Sequence, residues 1–212
     1  MWYYWYNTTQ GDLNMYGKIA SRICERLIQN HTIPEKKRAI YLYGFEVILS
    51  SLVYFVIFLS VSIFFQCLTA SLFFWLGIFM IRKIAGGHHA KNYLSCHLLF
   101  EGNHILFVLL FHIVSPNLYP YIIFSSLVIA LLSILFFAPI DHKNKPFIKT
   151  EYKRFRLLCL IYCALLAITT SLYWYGVIPN HPFMFSFSIG TLSATISLLC
   201  GKIINYKERR AT

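Results

Sequence analysis

Charge is scarce in this chain, and acidic charge scarcer still. Only 13% of its 212 residues are charged, and Asp and Glu number 8 against 19 Lys and Arg. A soluble domain carries nearer a quarter, so this composition does not make an ordinary water-facing surface. There is no internal repeat and no low-complexity linker, which excludes a solenoid and points to a single domain, 1–212. The six cysteines, at 24, 67, 96, 159, 163 and 200, include no C-x-x-C pair. Most fall in apolar stretches or on the basic side of the chain, so no disulfide framework is expected. The first six residues, MWYYWY, lack the basic start of a cleavable signal peptide.

What is abundant is apolar. Hydrophobic residues make up 58% of the chain, 18% are aromatic, and the mean hydropathy is +0.58. That combination over this length means an all-α polytopic membrane protein. Six apolar stretches run over roughly 39–65, 68–81, 94–114, 119–138, 157–178 and 183–201. A crossing helix needs about 20 apolar residues, with a range of roughly 17–25. The second stretch is short, so it is tilted less, extended into Arg82, or re-entrant. Ahead of the first span, residues 12–29 read as a basic amphipathic helix lying on the inner leaflet, with Leu13, Tyr16, Ile19, Ala20, Ile23 and Leu27 on its apolar face. Pro34 and the run Glu35-Lys36-Lys37-Arg38 close this region, 1–38. A membrane region, 39–201, and a basic tail, 202–212, follow. Gly201 reads as the end of the last span.

A net charge of +11 in a soluble chain would suggest nucleic acid; here it is read by position. If all six stretches cross, the N-terminal region, 82–93, 139–156 and 202–212 share one side. All 19 Lys and Arg lie there, and the turns near Gln66, near Ser115 and at 179–182 have none. The positive-inside rule then places both termini in the cytoplasm. No nucleic acid partner is expected; membrane lipids are.

Two carboxylates, Glu46 and Glu101, fall in apolar stretches, where each must be neutral, paired or near water. Glu46 suits an interhelical hydrogen bond.

The most chemically endowed stretch is 82–97, RKIAGGHHAKNYLSCH. A Cys attacks carbonyls as thiolate, and a nearby His can take its proton. His89 and Cys96, seven residues apart on one helix, would stand about 10.5 Å apart. Proton transfer needs roughly 3 Å or a bridging water, so a Cys–His dyad requires a bend between them. Gly86-Gly87 before the pair and Lys91-Asn92-Tyr93 within it are weakly helical. A Cys near a helix N-terminus has its thiolate favoured by the helix dipole. Against this, an apolar-flanked Cys is ordinarily a small hydrophobe and an interfacial His ordinarily solvated. The spacing by itself leaves both readings open. His97, Glu101 and His104 share a helix face and form a second, metal-like pattern. Yet only one Glu-x-x-His pair is present, and polar helix packing accounts for it better. A small transporter or a sensor-associated membrane protein is the competing non-enzyme class, although no half-to-half repeat supports it.

The residues Arg82, Gly87, His89 and Cys96, in the spacing R-x-x-A-G-G-H-H-A followed by Cys, resemble the signature of the AgrB family, the accessory gene regulator peptidases of Gram-positive quorum sensing. His88 is the wrong distance from Cys96 by one. Ala138-Pro139-Ile140-Asp141 with Asn144-Lys145-Pro146 is similar to that family's proline-flanked basic loop. Size, basic N-terminal helix and span pattern agree, so the likeness covers essentially the whole chain.

The resemblance implies a membrane cysteine endopeptidase with Cys96 as nucleophile and His89 as base. It would cleave the C-terminal part of an AgrD-type propeptide through a thioester and promote thiolactone or lactone closure. Arg82, Gly86 and Gly87 would support the site, with Asn92 or Glu101 orienting His89. Lys143, Lys145 and Lys149 would contact the peptide. The family's pattern further implies a homodimer, no cofactor, no metal, and a cytoplasmic-face site in a Gram-positive cell membrane.

Overall fold

The computed structural model describes residues 15–85, 93–140, 149–178 and 182–210, with side chains except at 15, 93–97, 149 and 204–210. Every regular element among these residues is helical: α1 Met15–Gln29, α2 Arg38–Phe64, α3 Leu68–Ala85, α4 Tyr93–Ile113, α5 Tyr119–Phe137, α6 Lys149–Trp174 and α7 Pro182–Arg210. Short 3-10 turns at Glu35–Lys37 and Pro116–Leu118 precede α2 and α5. Five helical stretches are long and apolar enough to cross a membrane: Glu35–Phe64, Leu68–Ala85, Pro116–Phe137, Thr150–Trp174 and Pro182–Ile203. A shorter apolar stretch, Leu98–Ile113, lies in α4. The protein is an all-α membrane protein.

The spans sit close to where hydropathy puts them, with instructive shifts. The short second stretch is extended: α3 continues through Arg82 to Ala85, reaching 18 residues, about 27 Å at 1.5 Å per residue. α6 begins at Lys149, well before its apolar run, because a helix end tolerates exposed basic residues that snorkel to the interface. Gly201 does not end the last span. It is buried inside α7, which runs on to Arg210. Gly terminates a helix where it takes a left-handed backbone, and among the described glycines only Gly176, at φ 72°, does so.

Three helices end in the same hydrogen-bonded pattern. After α1, His31 N–H donates to Ile28 O and Thr32 N–H to Leu27 O; after α2, Gln66 donates to Ile63 and Cys67 to Ser62; after α6, Gly176 donates to Tyr173 and Val177 to Leu172. This is the Schellman arrangement, in which the residue past the end turns left-handed and satisfies orphan carbonyls. His31 (φ 53°) and Gln66 (φ 54°) do this without being Gly.

The chain divides into two compact units. One comprises residues 1–61 and 91–101, the other 62–90 and 102–212. In the first, α1 buries Ala20 and Cys24 against Ile33 and Leu42, with Leu27, Ile28, Phe45 and Leu49 packed around them. The buried face is thus centred on Ala20 and Cys24, whereas Ile19, expected on the apolar face, is 39% exposed. Tyr54 meets Phe100 edge-on at 5.7 Å. The Arg38–Glu25 ion pair, at 3.2 Å, is exposed and contributes little.

In the second unit α3 and α7 pack most extensively, followed by α5 with α7 and with α6. Small residues permit the close approach of α3 and α7. A Cβ on Gly77 would lie 2.5 Å from Phe187 O, and one on Gly190 2.0 Å from Phe74 O. Without a strong hydrophobic drive between helices in lipid, such contacts supply the association.

Candidate active site

Cys96 is the fourth residue of α4, on its first turn as described; its side chain, and that of His97, lie outside the described residues. So do His89, Gly86, Gly87, Asn92, Lys143 and Lys145. Lys149 is the first residue of α6, its side chain likewise outside. Arg82 is half-buried on the last turn of α3, where a cation complements the negative end of the helix dipole. Glu101, on α4, is half-buried with its carboxylate oxygens shielded from solvent.

The helix ends that flank the candidate residues are well defined. The carbonyls of Ile84 and Ala85, at the C-terminal end of α3, accept hydrogen bonds from the Cys159 thiol (3.8 Å) and the Ile140 N–H (3.0 Å). Ala85 is 1% exposed. At the end of α5, the Arg156 guanidinium donates to Ala138 O, to Leu135 O at 2.7 Å and to Ile134 O at 3.5 Å. Lys202 on α7 places its ammonium 3.9 Å over the Phe137 ring, and Lys83 lies 4.9 Å over Phe79. These contacts gather the basic ends of α3 and α6, Lys202 of α7 and the end of α5 at one end of this unit. The Gln66 turn lies at the opposite end of α3. Among the described residues of this unit, Lys83, Arg156 and Lys202 thus share that end.

Of the metal-like pattern, His104 is engaged in packing, while the His97 side chain lies outside the described residues. His104 is 1% exposed, and its Nε2 lies 3.1 Å from Ser71 Oγ and 3.3 Å from Ser62 Oγ. Its ring stacks near Phe74 and Phe107. Cys67 Sγ continues the chain, 3.6 Å from Ser71 Oγ. Among the described residues no three His, Cys, Asp or Glu converge. Asn103, next to His104, accepts a hydrogen bond from Ser193 at 3.0 Å. His112 lies 3.1 Å from Phe65 O and is exposed. Cys159 and Cys163 are buried free thiols, as small packing residues should be. A cavity of about 470 Å³ lies at the Gln66 turn, lined by Ser62, Gln66, Cys67, Phe111 and Phe183 among others.

Sequence reasoning missed Arg156 as anything but a topological charge. One Arg in the basic run Lys153-Arg154-Phe155-Arg156 carries no local signal that its fork will meet another helix's end.

These features define a polytopic helical membrane protein with basic residues gathered at one end of its second unit. The sequence matches the Accessory gene regulator B family over residues 20–198, and the chain belongs to that family. It is similar to Accessory gene regulator protein B of Staphylococcus haemolyticus (strain JCSC1435), 28% identical over 162 residues, covering 74% of this chain and 79% of that one. It is also similar to the protein of the same name from Staphylococcus epidermidis, 25% identical over 129 residues, covering 59% of this chain and 64% of that one. No solved structure matches the chain.

Proposed function

We propose that the chain works in an accessory gene regulator system as a membrane cysteine endopeptidase acting on an AgrD-type precursor peptide. His89 takes the proton of the Cys96 thiol, and the thiolate attacks the scissile carbonyl. The tetrahedral oxyanion collapses to a thioester on Cys96 as the amine of the C-terminal fragment leaves with a proton from His89. A Cys thiol or Ser hydroxyl within the bound peptide then attacks the thioester, closing a thiolactone or lactone and freeing Cys96. The internal nucleophile is held close while water is excluded at the membrane edge, which favours closure over hydrolysis.

The observation that carries this reading is the family match over 20–198, which takes in the whole His89–Cys96 stretch. The dipole of α4, in whose first described turn Cys96 lies, favours the thiolate in this reading. In this reading Arg82, Gly86 and Gly87 support the site, Asn92 or Glu101 orients His89, and Lys143, Lys145 and Lys149 contact the peptide. The enzyme is a homodimer in the cell membrane of a Gram-positive bacterium, with both termini and the site on the cytoplasmic face.

The test is a covalent-adduct assay on the protein reconstituted in lipid, with the precursor peptide encoded beside its gene. Mass spectrometry should find the peptide on Cys96 and a released C-terminal fragment, both strongly reduced in His89→Ala and absent in Cys96→Ala. Retention of biological activity by Cys96→Ala would overturn the peptidase and favour transport.

A further inference from the structure

The proline-flanked basic loop and the His89-bearing stretch leave the membrane helices from one hydrogen-bonded junction. Ala85, the last residue of α3, accepts the Ile140 N–H at 3.0 Å. Ala85 stands four residues before His89, and Ile140 three before Lys143. Covalent length alone keeps the Lys143 backbone within about 11 Å of Ile140. What holds Ile140 there comes from α6. At the end of α5 the Ala138 N–H closes the last backbone hydrogen bond, onto Ile134 O, and Arg156 adds donors from one planar fork to Ile134, Leu135 and the C-cap Ala138. One turn on, Cys159 donates to Ile84 O. A single helix end thus fixes both the place where the loop starts and the place where α3 stops.

We propose that Arg156 is a positioning residue of the peptidase: by clamping the end of α5 it holds Ala138–Ile140 against the end of α3, so that the basic loop meets an acidic or amphipathic peptide in register with His89. The proposal rests on the peptidase reading. Lys at this position keeps the charge but not the fork that reaches several carbonyls.

The experiment compares the wild type with Arg156→Gln and Arg156→Lys, reconstituted in vesicles containing anionic lipid, using the same precursor peptide. Hydrogen exchange reads the Ile140 amide, and iodoacetamide alkylation of Cys96 reads the nucleophile without the loop. In Arg156→Gln we expect faster exchange at Ile140, unchanged alkylation of Cys96, and a KM raised about tenfold with kcat within about twofold. The rise of KM with salt, which docking on lysines imposes, should flatten. Arg156→Lys should fall between, and serves if Arg156→Gln does not fold. Unchanged KM in a folded variant, or a fall in kcat alone, overturns the positioning role. Failure of the wild type to form any Cys96 adduct sinks the peptidase reading instead, and the exchange at Ile140 still reports on the clamp.

Discussion

At the residue scale, His104 shows how a polar group is kept inside a membrane protein. Its Nε2 faces two hydroxyls, Ser62 and Ser71, carried by two other helices. Replacing it with Leu removes both hydrogen bonds from a buried site, at a cost of about 0.5–1.5 kcal/mol each. The midpoint of thermal unfolding in detergent should drop for His104→Leu, while a chelator should leave the wild-type midpoint unmoved. A chelator-induced drop would revive the metal reading. Cys24 gives a pH prediction outside the spans. Burial pushes its thiol above the usual 9.0, with Arg38 pulling the other way. A folded value above the unfolded one means that its contribution is complete below the ordinary thiol range and is lost as pH rises through the folded value. Alkylation of Cys24 at about pH 9 should therefore be much slower in the native protein than in denaturant. Equal rates would contradict the buried placement.

At the element scale, helix pairing is decided by where backbone approaches backbone. Gly190→Ala drives a methyl into Phe74 O, and Gly77→Ala one into Phe187 O. Each should destabilise by about 1–3 kcal/mol, or prevent folding, as overpacking does. Gly44→Ala meets nothing within 4 Å and should be neutral or stabilise by up to about 1 kcal/mol. Unfolding midpoints of the three variants check the contrast, and a neutral Gly190→Ala would refute the packing of α3 on α7. Gln66 sits left-handed at the end of α2, so Gln66→Gly should gain about 1 kcal/mol by removing the Cβ clash. The extension of α7 beyond Gly201 belongs to this scale too: a glycine packed inside a helix looks in sequence like one that caps it.

At the scale of the whole molecule, sidedness is the property with most consequence, because the proposed function needs the site to share the cytoplasm with its precursor. All 19 Lys and Arg fall on one set of connections. With native cysteines blocked, Asn117→Cys should react from outside intact cells with an impermeant maleimide, and Lys153→Cys only after permeabilisation. The reverse pattern would invert the topology. The all-α class and the span positions were legible in advance, since hydropathy and charge act additively along the chain and against lipid. Arg82, His89 and Cys96 were legible only as spacing that matches a family.

The sequence alone therefore determined the solvent this protein lives in and its helical class, because both depend on local composition and order. Tertiary structure alone decided that Ser62 and Ser71 would meet His104, that Gly77 and Gly190 would let α3 and α7 touch, and that Arg156 would cap α5. Those contacts join residues from separate helices, and in lipid, where apolar faces do not drive helices together, close packing and polar geometry choose the partners.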